Sequence, residues 1–167
     1  MERMFSPWRM AYIQKDQGGC GNGHGCVFCV EPADLDDPGR LVLGIYPHTL
    51  AICNLYPYNN GHVLLAPRRH VSDLSLLSRE ELSELMSLAA MATRALGAEY
   101  APAGFNLGMN LGKVAGAGIA DHLHLHVVPR WNGDTNFMSA ALTTRVLPES
   151  LAETHLRLQP LFRDLAP

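Results

Sequence analysis

Four short segments dominated by apolar and branched residues predict β-strands. The first two, residues 49–55 and 62–67, flank a turn rich in Pro, Asn and Gly, which is typical of a hairpin connection. In the third, residues 105–112, Phe, Leu and Met alternate with Asn and Gly, so we expect one apolar and one polar face. The fourth, residues 122–128, begins with three histidines at alternate positions.

Apolar residues follow a helical spacing in two other places. Ser78 and Glu81 form a capping box ahead of an apolar stripe, and we expect Gly97 to end this helix. The stripe is expected to pack in the core or in a dimer. Residues 149 to about 165 also look helical, and Pro160 is expected to break or kink them. These elements predict a single α+β domain, in which an antiparallel sheet is packed by the first helix and followed by a C-terminal helix.

The histidine segment carries a geometric constraint. Strand side chains alternate between faces, so His122, His124 and His126 share one face. Residues two apart on a strand are separated by about 6.6 Å, so the three histidines span roughly 13 Å, while a zinc–nitrogen bond is about 2 Å. A regular strand therefore cannot bring all three to one ion. At least one imidazole is left for another role, such as base, acid or nucleophile.

Composition restricts the partners and the compartment. The chain has 167 residues, of which 47% are hydrophobic and 17% charged, and this indicates one globular domain with a sizeable core. A net charge of −3 gives no general electrostatic case for binding nucleic acid or an anionic membrane. The start resembles no signal peptide, and no stretch approaches the roughly 20 apolar residues of a membrane span. We therefore expect a cytoplasmic protein.

Three of the four cysteines cluster near the start of the chain, which in a reducing compartment indicates metal before disulfide. Cys26 and Cys29 form a C-x-x-C after a glycine-rich approach that suits a loop around an ion, although a redox pair is a second interpretation. A tetrahedral zinc site needs two more ligands. The candidates are His70, His122, Cys20 and His24. Cys53 lies in an apolar run and is expected to be a buried small residue.

The remaining histidines carry weaker signals. His62 follows a turn glycine, and its residue context favours a satisfied, partly buried histidine. His48 and His155 have no motif around them and are expected to be surface or capping residues. The glycine-rich residues 112–118 could present N–H groups to phosphate oxygens, but they match neither the P-loop nor the G-x-G-x-x-G pattern.

The histidine segment resembles the signature of the histidine triad (HIT) family of nucleotide hydrolases and transferases. Residues 54–67 resemble the nucleoside-binding hairpin of that family, and Asn110 stands where the family has Asn or Gln. The resemblance is strongest over residues 26–131 and implies a single HIT domain over residues 1–167 with a HIT-like fold. The finer resemblance is to the bacterial branch of diadenosine tetraphosphate phosphorylase-like proteins and HIT hydrolases. It rests on residues 6–9, 106–112, 117–122 and 128–134.

The resemblance implies a role for each site residue. His124 would be the nucleophile that forms a nucleotidyl-histidine intermediate, and His126 would stabilise the phosphate charge. Asn54 would hold the ribose hydroxyls. His62 and Asn110 would lie near the phosphates. Trp131 and the glycine-rich loop, which includes Gly118, would line the leaving-group side.

The resemblance also implies a structural zinc, because some family members bind one through a C-x-x-C, a histidine after the hairpin strand and the first triad histidine. Here those positions are Cys26, Cys29, His70 and His122. The histidines would then divide into one for the metal, one for chemistry and one for phosphate. We also expect a homodimer.

Two departures from the family pattern bear on the reaction. Gly118-Ile119 stands where many family hydrolases have Gln-Ser or Gln-Thr. Two consequences are open: backbone groups replace those side chains, or the leaving-group preference differs. His126 is kept where transferases often have Gln, which favours hydrolysis over transfer without excluding phosphorolysis. The expected function is nucleotidyl hydrolysis or transfer on dinucleoside polyphosphates such as diadenosine tetraphosphate. The alternatives are an adenosine phosphoramidate hydrolase, a zinc-stabilised nucleotide-binding protein without useful catalysis, and a metalloenzyme using two triad histidines.

Overall fold

The computed structural model describes residues 25–134 and 147–167, and within them a five-stranded sheet carries two α-helices. The sheet order is β1-β2-β3-β5-β4, and every neighbouring pair is antiparallel. The elements are β1 (Val42–Ile45), β2 (Thr49–Cys53), β3 (Val63–Pro67), α1 (Arg79–Tyr100), β4 (Gly104–Met109), β5 (Leu125–Arg130) and α2 (Leu151–Arg163). The α+β prediction is confirmed. Residues 6–9, Cys20 and His24 lie outside the described residues.

The two faces of the sheet bury different layers. On one face, α1 and α2 pack over alternate strand residues such as Ala51, Leu65 and Val127. On the other face, residues 26–30 cover a second cluster. Strands β2 and β3 are buried throughout, which explains why their sequences are almost continuously apolar rather than alternating. The sheet thus has one face for the helices and another on which a site can form.

One row of residues crosses that second face in register. Val42 pairs with Ile52, Ile52 with Leu64, and Leu64 with His126. Neighbouring strands are about 4.8 Å apart, so the row runs about 14 Å from β1 to the histidine on β5.

Helix α1 extends beyond its predicted end. The Ser78–Glu81 capping box is present, but the helix continues past Gly97 to Tyr100, so the prediction that Gly97 ends it was wrong. The tertiary contacts outweigh the weak helix propensity of glycine, because Leu96 is fully buried and the Tyr100 hydroxyl donates to Glu149 Oε2 at 2.7 Å. No helix in the described parts of the chain is both long and apolar enough to cross a bilayer.

Helix α2 passes through Pro160 without breaking. Leu158 and Phe162, on either side of the proline, are fully buried against the sheet, and this packing maintains the helix. His155 was expected at the surface or in a cap, and this was wrong: it is buried, and its Nε2 lies 3.0 Å from the carbonyl oxygen of Val42. The C-terminal helix is therefore fastened to the start of β1.

Strand β4 is an edge strand, and it ends at Met109 rather than at residue 112. The predicted apolar face is covered only in part. Phe105 packs against the core, but Leu107 is 45% and Leu111 49% exposed. No other strand in the described residues pairs with its outer edge.

Candidate active site and metal centre

The triad histidines share one face, although β5 begins only at Leu125. His122 and His124 lie in the segment that leads into the strand, and His126 lies within it. All three are buried, while the apolar residues between them point into the core under the helices. The ring centroids of His124 and His126 are 5.1 Å apart. The imidazoles thus form a continuous line toward the same side of the sheet.

His122 lies within a cluster of potential metal ligands. The ligand atoms of Cys26, Cys29, His70 and His122 are all within 4.8 Å of one another. Cys26 Sγ is 3.4 Å from His122 Nδ1, and Cys29 Sγ is 3.4 Å from His70 Nδ1. Tetrahedral zinc with bonds of about 2.3 Å to sulfur and 2.0 Å to nitrogen places neighbouring ligand atoms roughly 3.3–3.8 Å apart. The donor set and its spacing therefore fit a Cys₂His₂ zinc ion.

Two further observations suit a cation at this cluster. His122 Nε2 lies 2.8 Å from the carbonyl oxygen of Pro67 and donates to it, which leaves the Nδ1 lone pair directed at the thiols. Burial lowers the pKa of His122 to about 4, so the ring is neutral, as a metal ligand must be. Burial and the neighbouring Cys29 raise the pKa of the Cys26 thiol, and a bound cation would reverse that shift.

His124 uses the opposite ring nitrogen for its backbone contact. Its Nδ1 lies 2.8 Å from the carbonyl oxygen of His122, so Nδ1–H donates and the lone pair is on Nε2. The ring of Phe28 stacks on the imidazole with centroids 4.9 Å apart. His124 lines the cavity on this face of the sheet, so the geometry presents an oriented nucleophilic nitrogen at the cavity wall.

His126 is oriented by a hydrogen-bond chain that starts at a backbone donor. The Tyr58 N–H donates to His62 Nδ1 at 3.0 Å, so this nitrogen must be an acceptor. The proton of neutral His62 is therefore on Nε2, which lies 2.9 Å from His126 Nδ1 and donates to it. Neutral His126 then carries its own proton on Nε2. Because the Tyr58 N–H can only donate, it fixes the donor and the acceptor at each step of this hydrogen-bond chain.

His62 is thus buried and satisfied, more deeply than its sequence context predicts. The resemblance implies a place near the phosphates, and the structure places His62 behind His126. The Asn54 amide nitrogen also lies 3.2 Å from His62 Nδ1, while its Oδ1 accepts the Tyr56 N–H. The turn between β2 and β3 therefore positions both Asn54 and the histidine chain.

A cavity of about 170 Å³ lies over the sheet row described above. His124, His126, Asn54 and Gly118 form its polar end. The rest is mainly apolar, and the residues that sequence reasoning did not single out are Val27, Phe28, Gly39, Arg40, Leu41, Ile52, Leu55, Tyr56, Tyr58 and Leu64. Mostly apolar walls with a few convergent polar groups are typical of a small-molecule site.

Two expected substrate-binding residues do not line this cavity in the described residues. Trp131 directs its indole N–H to the carbonyl oxygen of Tyr100 at 3.4 Å. Asn110 follows the end of β4 and is partly buried. Nearby, Asn59 donates to the Pro129 carbonyl and to Asp134, which ties the turn between β2 and β3 to the end of β5.

The sequence also matches a family model described as the HIT domain, over residues 40–133. The chain belongs to the HIT domain family. Among its relatives is an AP-4-A phosphorylase of Mycobacterium tuberculosis (strain H37Rv), 39% identical over 159 residues, which cover 92% of this chain and 80% of the relative. An adenosine 5'-monophosphoramidase of Schizosaccharomyces pombe is 31% identical over 64% of this chain and 75% of its own length.

Solved HIT structures agree with the fold. A Zn-bound histidine triad family protein from Mycobacterium smegmatis superposes with a TM-score of 0.64 at 28% identity, covering 84% of this chain and 94% of the neighbour. The predictions of the family and of its fold are therefore confirmed.

Proposed function

We propose that this HIT domain is a nucleotidyl hydrolase or transferase that acts on dinucleoside polyphosphates through a nucleotidyl-histidine intermediate on His124. The observation that carries the proposal is the hydrogen bond from His124 Nδ1–H to the His122 carbonyl at 2.8 Å, because it leaves an unprotonated Nε2 at the cavity wall. The 39% identity to an AP-4-A phosphorylase supports this substrate class.

In the first step the Nε2 lone pair attacks the α-phosphorus of the bound nucleotide. A nitrogen–phosphorus bond forms, the bond to the bridging oxygen breaks, and the remaining polyphosphate leaves with that electron pair. His126 Nε2–H donates to a phosphate oxygen and stabilises the charge that develops there. In the second step an oxygen of water or inorganic phosphate attacks phosphorus, a new oxygen–phosphorus bond forms, and the nitrogen–phosphorus bond breaks with its electron pair returning to Nε2. Neutral His124 is restored with its proton on Nδ1, and an attacking water releases its proton to solvent.

The rest of the cavity supplies binding. Asn54 holds the ribose hydroxyls, and His62 acts through His126 rather than on the substrate, because its Nε2 is 2.9 Å from His126 Nδ1. Gly118 offers its backbone beside the reacting phosphate. Asn110 serves the phosphates and Trp131 the leaving-group side, both from outside the lining of the cavity.

A zinc ion held by Cys26, Cys29, His70 and His122 would have a structural role. With four protein ligands it has no open position for substrate, and it would fasten residues 26–29 to the segment that carries His124. The Zn-bound HIT neighbour supports this assignment. None of the cysteines among the described residues forms a disulfide, which is consistent with the cytoplasmic location that we propose.

A homodimer would cover the exposed apolar surface of β4 and α1. Leu107 and Leu111 are about half exposed beside the unpaired edge of β4, and Leu82 and Met86 are exposed on α1. Light scattering during gel filtration tests this state. A monomeric mass at micromolar concentration would contradict it.

The intermediate itself provides the decisive test. Rapid denaturation during turnover of diadenosine tetraphosphate should yield protein carrying one adenylyl group, and His124→Ala should yield none. Absence of the adduct in an active wild-type enzyme would contradict the mechanism. A non-catalytic nucleotide-binding protein would give neither adduct nor turnover.

The acceptor and the leaving group are tested by varying the reaction mixture. Diadenosine tetraphosphate and adenosine phosphoramidate are each supplied with and without inorganic phosphate. A strict phosphate requirement would establish phosphorolysis over hydrolysis. Preference for the phosphoramidate would favour the second candidate, which the 31% identity to a monophosphoramidase supports.

A further inference from the structure

The cavity has a second charged feature at the end opposite the triad. Arg40 lines the cavity together with Leu41, which leads directly into β1. The row Val42, Ile52, Leu64 and His126 separates this end from the histidines by three strand spacings, about 14 Å. A nucleotide whose phosphorus lies at His124 therefore extends its base away from β5 and toward Arg40.

The Arg40 side chain is held in place by two contacts. Its Nε lies 3.3 Å from Asp34 Oδ1, and its Nη2 donates to the carbonyl oxygen of Cys29 at 3.3 Å. Its Nη1 donates to no group within the described residues, so hydrogen-bond donors remain for a ligand. The side chain is 34% exposed, as a group at a cavity wall would be.

The backbone around Arg40 is fastened from both sides. Gln159 of α2 donates to the carbonyl oxygens of Leu35 and Val42, at 2.6 and 3.3 Å. The Cys53 N–H donates to the Leu41 carbonyl at 2.9 Å, although Leu41 adopts a left-handed conformation with φ of 58°. This segment is thus built to present Arg40 in one position.

We propose that Arg40 is a specificity-determining residue that reads the purine base and favours guanine over adenine. Guanine presents two adjacent acceptors, N7 and O6, to a guanidinium fork, whereas adenine presents N7 beside an amino donor. The side chains that line the cavity between Arg40 and the histidines are mainly apolar, among them Val27, Ile52 and Leu64, and these apolar groups offer no hydrogen bond that would distinguish one base from another. Asp34 offsets much of the positive charge, which favours hydrogen bonding to a base over neutralisation of a phosphate.

The kinetic test of this inference rests on the proposed function, whereas the binding test does not depend on it. Arg40→Met keeps the aliphatic stem and removes the donors. The kcat/KM ratio of diguanosine tetraphosphate to diadenosine tetraphosphate should fall about five-fold or more in this variant. Gln159→Ala loosens the segment that positions Arg40 but keeps the guanidinium. It should therefore lower the same ratio less than Arg40→Met does.

The ratio of the Kd values for GMP and AMP, measured by calorimetry, should shift in the same direction in Arg40→Met. If wild type binds GMP in this way but forms no adduct with either dinucleotide, the proposed reaction fails and the role of Arg40 stands. An unchanged ratio in Arg40→Met would overturn the inference. Equal losses of affinity for GMP and AMP, with Kd values that depend strongly on salt concentration, would overturn the inference in favour of a phosphate contact.

Discussion

His122 and His124 are two residues apart on the same face, and the backbone gives them opposite orientations. His122 donates through Nε2 to the Pro67 carbonyl, and its Nδ1 faces two thiols. His124 donates through Nδ1 to the His122 carbonyl, and its Nε2 lies toward the cavity. Both rings are buried, so the identity and the burial of the side chain do not separate the two roles.

The difference lies in which nitrogen a carbonyl accepts from. A neutral imidazole has one donor and one acceptor, so fixing the donor also fixes where the lone pair points. At the metal end, which comprises Cys26, Cys29, His70 and His122, the lone pair points at other ligands. At the proposed catalytic end, which comprises His62, His124 and His126, the lone pair of His124 points at substrate space and that of His126 at the His62 Nε2–H. The lone pair of His62 accepts the Tyr58 N–H.

The most damaging change to the catalytic end is His124→Ala. It removes the attacking nitrogen, and kcat for diadenosine tetraphosphate should fall by about 10⁴-fold or more. Zinc stoichiometry, measured by atomic emission, should stay at wild-type level because His122 keeps its Pro67 contact. Activity within a hundred-fold of wild type would remove His124 from the nucleophile's role.

At the metal end the corresponding change is Cys26→Ser. Loss of a thiolate ligand should lower zinc content and destabilise the protein by about 3 kcal/mol or more, so that Tm falls by about 10 °C. Cys53→Ala is the matched control, because Cys53 is also buried but lies outside the ligand cluster. Cys53→Ala should lower the free energy of unfolding by about 1 kcal/mol and leave the zinc content unchanged. Unchanged zinc content in Cys26→Ser would refute the site.

The two ends also differ in how far the sequence alone predicts them. The four candidate metal ligands were predicted from the C-x-x-C and from the family resemblance, and the structure brings their side chains together. The position of His62 behind His126 could not be predicted, because it depends on the strand register that pairs Leu64 with His126. Arg40 lies in a stretch that the sequence pattern leaves irregular, and only the packing of α2 and β1 places it at the cavity.

The predictions of the fold also succeeded where the signal is local and failed where it depends on tertiary packing. Four of the five strands and the Ser78–Glu81 capping box are local signals and were predicted within a few residues. Strand β1 lies in a stretch that the sequence pattern leaves irregular, and it was missed. The continuation of α1 past Gly97 and the burial of His155 were missed, because both depend on contacts between distant segments. In this chain tertiary contacts override local signals wherever the two disagree.

A smaller effect is expected from the histidine chain. His62→Ala removes the donor to His126 Nδ1, so the His126 ring loses its fixed orientation and kcat should fall about 100-fold with little change in KM. His62→Gln keeps an N–H at the same reach and should recover about ten-fold of the loss. Zinc content should not change in either variant. A rise in KM with unchanged kcat in His62→Ala, or no recovery of kcat in His62→Gln, would contradict the positioning role.

The smallest effect tests how each end is supported by its nearest helix. Ser78→Ala removes the acceptor for the Glu81 N–H at the start of α1, and Ser150→Ala removes the equivalent cap of α2. Each substitution should lower the free energy of unfolding by about 1 kcal/mol, so that Tm falls by about 3 °C. Only the first cap borders the metal end, because the Glu81 carboxylate holds Arg69, which directly precedes His70.

The two cap variants should therefore differ in metal retention and agree in stability. Zinc transfer to a chelator, followed with a colorimetric indicator, should be several-fold faster in Ser78→Ala and unchanged in Ser150→Ala. Equal rates would mean that the link through Glu81 and Arg69 does not hold His70, and that the four ligands are positioned by the sheet alone. Faster release only in Ser78→Ala would mean that the metal end depends on α1 as well as on the sheet, because the two variants lose the same kind of cap.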